Sequence, residues 1–336
     1  MSHVLEVQNL RISFPSAGHG RVYPVDGVSF WLDRGETLAL VGESGCGKSL
    51  TSLALLQLVP APGRIEGGSI VRLADLDVLA LRGEALRRIR GRRIGMIFQD
   101  PMTSLNPVFT VGDQIVEGIL AHFKLPRAQA RDRALQLLQE VGIPDPVERL
   151  KAYPHQLSGG MRQRVMIAIA LSAEPEILVA DEPTTALDVT VQAQILEVLD
   201  RLRTSRGMAV LLITHDLGIV AGRADRVAVM YAGQIIEESS TERLFANPSH
   251  PYTQGLFASV PRITGPLRRL TPIRGSVPAP SAWPSGCRFR PRCPQAFDKS
   301  EREPPLLPVE TDHRMRCWLA EQPARAVIPS AADERS

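Results

Sequence analysis

The sequence predicts an α/β chain in unequal parts: a core of parallel strands covered by helices on both faces, with a helical subdomain inserted into it, an amino-terminal antiparallel β subdomain, and a small proline-rich carboxy-terminal extension. Three observations predict it. Residues 37–41, 177–180 and 209–214 are short, almost wholly apolar runs, each followed by a turn or helix signal, as strands buried on both faces require. Between the first two lie helical patterns at 111–124 and 128–141, the second with Ala134, Leu135, Leu138 and Val141 on one face. Finally, 15 of the 27 prolines fall after residue 240, so the chain changes character there. A length of 336 residues with 44% apolar and 22% charged residues suits about two domains with a sizeable core.

Taken in order, residues 5–10 and 28–32 read as strands of the amino-terminal subdomain, with Asp33-Arg34-Gly35-Glu36 turning into the strand at 37–41. The core is expected over 1–240, with its helical subdomain at about 100–170, the extension over 241–320 and a frayed tail over 321–336. The longest apolar runs, such as 165–171, fall well short of the ~18 residues that span a bilayer. The amino terminus has neither a basic n-region nor an apolar h-region, so a cytoplasmic chain is expected. Net charge is +3, from 39 basic and 36 acidic residues spread along the chain, which is too balanced for a nucleic-acid partner.

The chemistry begins at Gly42-Glu43-Ser44-Gly45-Cys46-Gly47-Lys48-Ser49, which fits G-x-x-x-x-G-K-[ST] directly after a buried strand and opens a helical run at 51–59. Glycines let the backbone wrap phosphates with its N–H groups inward, and the helix start adds a favourable dipole. Lys48 is placed to reach the β- and γ-phosphates, and the Ser49 hydroxyl to take one position on Mg2+. Cys46 fills a free position of the motif and has no redox partner nearby in sequence. Asp181 and Glu182 end the strand at 177–180, at the carboxyl edge where open α/β sheets bind ligands. Asp181 is expected to hold Mg2+ and Glu182 to accept a proton from the attacking water. The strand at 209–214 delivers His215 to the same edge, where an imidazole can hydrogen-bond the γ-phosphate and that water.

Leu157-Ser158-Gly159-Gly160-Met161-Arg162-Gln163-Arg164 precedes an apolar helix, and together with these motifs it resembles the signature of the ATP-binding-cassette ATPases. The resemblance implies a P-loop cassette fold in which Ser158, Gly159, Gly160 and Gln163 serve the ATP held by a partner cassette in a head-to-tail sandwich. It also implies that Gln99, after the strand at 94–98, is the Q-loop glutamine that touches Mg2+ and transmits the nucleotide state to the membrane subunit. Asp188 in Ala186-Leu187-Asp188 matches the D-loop. Phe14 best fits the place of the adenine-stacking aromatic, and Tyr23 is the alternative.

Three further stretches, 99–107, 247–253 and 286–294, resemble the peptide and nickel importer cassettes. That branch implies an ATP-hydrolysing subunit on the cytoplasmic face of the cell membrane, with two permease subunits, a second and often non-identical cassette, and an extracytoplasmic solute-binding protein. Two other readings compete: a soluble cassette acting on nucleic acid or ribosomes, and an extension that is an independent metal-binding regulatory module. The branch also implies an iron–sulfur cluster on extension cysteines. Here Cys287, Cys293 and Cys317 follow C-x5-C and C-x23-C, with Ser300 where another cysteine would fall. An iron–sulfur cluster completed by Ser300, His313 or water is the leading expectation; zinc on three cysteines and His313, or three plain thiols, are the alternatives.

Overall fold

The computed structural model describes residues 3–18, 20–100, 104–185, 187–259 and 272–321. Strands β1 (Leu5–Ser16) and β2 (Gly20–Leu32) form a long antiparallel hairpin. The sequence suggests only its inner ends, because apolar alternation fades towards the tip, where Pro15 and Pro24 sit. After β3 (Thr37–Val41) come the short β4 (Arg64–Ile65), β5 (Ile70–Leu73) and β6 (Leu76–Asp77), which join the hairpin in an antiparallel sheet.

The second sheet holds β7 (Ile94–Ile97), β8 (Ile177–Asp181), β9 (Ala209–Thr214), β10 (Arg226–Tyr231), β11 (Gln234–Ser240), β12 (Leu307–Glu310) and β13 (His313–Met315) together with β3. Its order is β12-β13-β11-β10-β3-β9-β8-β7. The run from β10 to β7 is parallel. Every residue of β3, β8 and β9 is buried, which is why these segments carry almost no polar side chains. Their carboxyl ends lie together, so whatever follows each strand meets at one edge.

Helices Val111–His122 and Arg127–Glu140 pack with Gly159–Leu171 in one apolar cluster that continues onto β7, β8, β9 and the helix Val189–Arg206. Thr110 starts the first by accepting from the Asp113 N–H at 3.1 Å. In the second, Ala134, Leu137 and Leu138 are buried, Val141 follows them inward, and Leu135 is only partly covered. After residue 240 the chain returns to the sheet: Glu237 pairs with Met315 and Glu238 with Arg314, so β13 and β12 extend the core edge. Phe289 packs with Tyr231 and Tyr252 in one cluster with Val41, Val227 and Val229. The extension therefore shares the core's sheet and apolar packing, in contrast to the independent module of the third reading. Residues 322–336, most of the expected tail, lie outside the described residues.

Candidate active site

The loop 42–49 joins β3 to the helix Lys48–Leu55. Glycine is required at 42 because an added Cβ would sit 2.2 Å from the Met230 carbonyl oxygen, and at 47, where φ is +109°. Lys48 is buried, and its Nζ donates to the carbonyl oxygens of Gly42 (2.7 Å) and Glu43 (3.1 Å), so the amine is held inside the curve of its own loop. Ser44 and Gly45 face outward into a cleft that Ser49, Gln99 and Glu182 also line. Cys46 is wholly buried behind the loop, and burial pushes its thiol up despite Lys48 nearby, the inert state of a packing residue.

Across the cleft, Asp181 accepts from the hydroxyls of Ser49 (3.1 Å) and Ser52 (3.3 Å). Burial pushes its carboxyl up, and the two hydroxyls only partly offset this. A buried carboxylate with only neutral donors, beside a serine hydroxyl, is a hard oxygen set that suits Mg2+. Glu182 follows with φ +46°, a left-handed conformation costing roughly 1–2 kcal/mol in a non-glycine residue, stabilised by its N–H to the Ile213 carbonyl at 2.9 Å. The turn aims its carboxylate into the cleft. Its Oε2 accepts from Gln99 Nε2 (3.2 Å) and Thr185 Oγ1 (2.8 Å) and lies 3.4 Å from His215 Nδ1. Gln99, Glu182 and His215, which follow β7, β8 and β9 in turn, thus meet on one oxygen. Sequence reasoning missed Ser52 and Thr185, whose only signal is a hydroxyl one helical turn, or three residues, from a named site residue.

The signature lies elsewhere. Ser158 caps the helix Gly159–Leu171, accepting weakly from the Met161 N–H at 3.4 Å, and both Ser158 and Gly159 are exposed. Gln163 is buried in the helical core. Gly160 abuts the helix Val189–Arg206, where an added Cβ would meet Val191 Cγ1 at 2.6 Å. Asp188 caps that same helix through the Val191 N–H at 2.9 Å. Signature and D-loop therefore form one unit, and none of 158–163 lines the phosphate-loop cleft. Ala186 of the D-loop motif, and Pro101, Met102 and Thr103 of the stretch at 99–107, lie outside the described residues.

Neither aromatic candidate lines the cleft. The Phe14 ring packs on Gly63, where an added Cβ would lie 2.4 Å from it, and joins the β-subdomain core. Tyr23 carries the Arg11 guanidinium 4.7 Å over its ring, and its neighbour Pro24 is what reaches the cleft.

The metal expectation for the extension is corrected by the structure. Among the described residues, no three His, Cys, Asp or Glu side chains gather as a metal ligand set. Ser300 is occupied in its own turn, its hydroxyl accepting from the Phe297 N–H at 3.2 Å. His313 is spent on Glu237, 2.7 Å away in a pair that is almost wholly buried. Cys287, Cys293 and Cys317 are free thiols that burial pushes up, Cys317 to about 12. With Ser300 and His313 committed elsewhere, the described residues offer the three thiols no further protein ligand, so the set expected for an iron–sulfur cluster or for zinc is not formed.

Residues 25–185 match the family described as ABC transporter, and residues 236–299 match the oligopeptide/dipeptide transporter C-terminal region. The oligopeptide transport ATP-binding protein AppD of Bacillus subtilis (strain 168) is 51% identical over 324 residues, covering 96% of this chain and 98% of that protein. The dipeptide transport ATP-binding protein DppD of the same organism is 51% identical over 332 residues, covering 98% of each. The chain belongs to the ATP-binding subunits of the ABC transporters, in the oligopeptide/dipeptide branch. Among solved structures, the dimeric ABC transporter cassette MJ0796 superposes with a TM-score of 0.62 at 26% identity, covering 70% of this chain and 98% of that one. As a member of this family, the chain is an ATP-binding, ATP-hydrolysing cassette coupled to transport. No helix among the described residues is long and apolar enough to cross a membrane.

Proposed function

We propose that this chain energises uptake of di- or oligopeptides, or a related solute, as one cassette of an importer on the cytoplasmic face of the cell membrane. It would work with two permease subunits, a second cassette, and indirectly an extracytoplasmic solute-binding protein. The observation that carries the reading is the meeting of Gln99, Thr185 and His215 on the Glu182 carboxylate, across one cleft from Lys48 and Ser49. A basic oxygen aimed at the phosphate end of the loop is what hydrolysis needs.

The division of labour follows from the residues. Lys48 releases its two loop carbonyls to meet the β- and γ-phosphates, and the loop N–H groups line the anion. Ser49 and Asp181, with Gln99 at the cleft wall, would hold Mg2+, which neutralises phosphate charge when bound. Glu182 takes the proton of the attacking water, and His215, more than half exposed beside it, orients that water and the γ-phosphate. Ser158 and Gly159, exposed at a helix start, with Gly160 half-buried behind them, would close over the nucleotide of the second cassette. Gln99 links chemistry to transport: it is followed by the exposed apolar pair Val108 and Phe109, a surface suited to a permease loop. The experiment is reconstitution with the permease pair in vesicles. Peptide-stimulated ATP hydrolysis that Glu182→Gln abolishes supports the proposal, and hydrolysis indifferent to the permeases refutes it.

A further inference from the structure

Glu43 occupies a free position of the phosphate loop, where nucleotide chemistry demands no carboxylate and an acid beside a polyphosphate is repulsive. The structure shows what restrains it. Arg292, from the extension and only 6% exposed, grips the Glu43 carboxylate with both Nη atoms, at 2.7 and 3.0 Å. The guanidinium is itself fixed, donating from Nε to the Arg274 carbonyl (2.8 Å) and from Nη2 to the Gly275 carbonyl (3.2 Å). The hydroxyl oxygen of Tyr252, a fully buried residue also beyond residue 240, accepts the Glu43 backbone N–H at 3.0 Å. The Glu43 carbonyl in turn accepts from Lys48 Nζ. One loop residue is thus held by the extension at its carboxylate and its N–H while its carbonyl touches the phosphate-binding lysine.

We infer that Arg292 is a positioning residue for nucleotide binding: it neutralises Glu43 and draws it away from the phosphates, so that ATP affinity depends on the docked extension. The inference rests on the phosphate-loop assignment above. Bidentate pairing holds the carboxylate in one orientation, which a single point charge would not. The hydrogen bonds to Glu43 also push the Arg292 guanidinium up, the direction expected of a committed pair.

The test titrates the full chain with a fluorescent ATP analogue. Arg292→Ala should weaken binding about tenfold, raise the half-saturating ATP concentration of the reconstituted transporter, and leave its maximal turnover within about twofold. Adding Glu43→Gln in the Arg292→Ala background should recover most of the affinity, and 0.5 M salt should shrink the deficit because the repulsion is screened. Wild-type affinity in Arg292→Ala, or a deficit that neither Glu43→Gln nor salt relieves, overturns the inference; the latter would mean that Arg292 only braces the extension. If Arg292→Ala does not fold, Arg292→Gln, which keeps the packed stem, carries the same comparison with the same outcomes. Lys48→Ala is the control for the underlying assignment: if it binds the analogue like wild type, the phosphate-loop reading has failed, separately from the role of Arg292.

Discussion

The phosphate-loop side and the signature side of this molecule are built on opposite plans. Around Lys48, Asp181 and Glu182, polar groups are buried or half-buried and find partners within the chain, several across long sequence distances. At Ser158 and Gly159 the backbone is exposed, and the serine hydroxyl makes one long cap to its own helix. The first region is organised before any ligand arrives; the second presents helix-start donors that the described chain leaves open to solvent. Preorganisation suits the side that must position charge, while an open helix start suits one completed by another molecule.

The comparison breaks most visibly at Glu182. Glu182→Gln should lower turnover of the assembled transporter by about 10²- to 10⁴-fold while ATP affinity is kept, and should accumulate an ATP-bound cassette dimer detectable by size-exclusion chromatography. Turnover within threefold of wild type would remove Glu182 from the role of base. Lys48→Ala acts one step earlier, on the organised side's hold on phosphate. A charge-assisted contact of about 1.5–3 kcal/mol is lost, so ATP affinity in a binding titration should fall by roughly 10- to 100-fold.

The open side makes the contrasting prediction. On the proposed arrangement, in which its hydroxyl and the adjoining N–H groups serve a partner's site, Ser158→Ala should leave ATP affinity of the isolated chain unchanged yet lower turnover of the assembled transporter by about tenfold. For the same reason, specific activity of the isolated chain should rise with concentration as dimers form. Full activity at the lowest concentrations, with light scattering showing only monomer, would count against the divided arrangement.

The remaining effect falls on stability rather than turnover and concerns acid. His250 packs beside Phe289, accepts the Tyr252 N–H at Nδ1 (3.0 Å), and is pushed down to about 4 by burial, with Glu237 only partly opposing this. In the unfolded chain it titrates near 6.5, so between about pH 6.5 and 4 the unfolded state binds the extra proton and stability falls as pH falls, by up to about 3 kcal/mol. Thermal melts of wild type should therefore drop over that window more steeply than those of His250→Asn, which keeps an acceptor without the titration. Parallel curves would assign the acid sensitivity elsewhere.

How much of this was legible in the sequence follows the range of the forces involved. The loop 42–49, the buried strands at 37–41 and 209–214 and the carboxylates at 181 and 182 announce themselves because local spacing and burial dictate their composition. The grip of Arg292 on Glu43 spans 249 positions and leaves no local trace. Strands β12 and β13 were not foreseen because their pairing rests on backbone hydrogen bonds and on charged side chains rather than on apolar alternation. The cysteines show the opposite limit: the family resemblance implies a metal there, but nothing local in the sequence tells that Ser300 and His313 are committed to a turn and to Glu237.

That last commitment bears on where the protein can be divided. Glu237 is fully buried on β11, and its three donors, the N–H groups of Ser249 (2.7 Å) and His250 (2.9 Å) and the His313 ring (2.7 Å), all come from beyond residue 240. Its neighbour Glu238 is bound by Arg314 from the same region as well as by Arg226. A chain ended where prolines become frequent would keep every motif of the cassette yet lose all three donors of Glu237 and open a sheet edge to other chains. The natural unit of solubility is therefore longer than the unit of chemistry, and a minimal ATPase cut from this protein would need charged residues on the uncovered β11 edge before it could be expected to stay in solution.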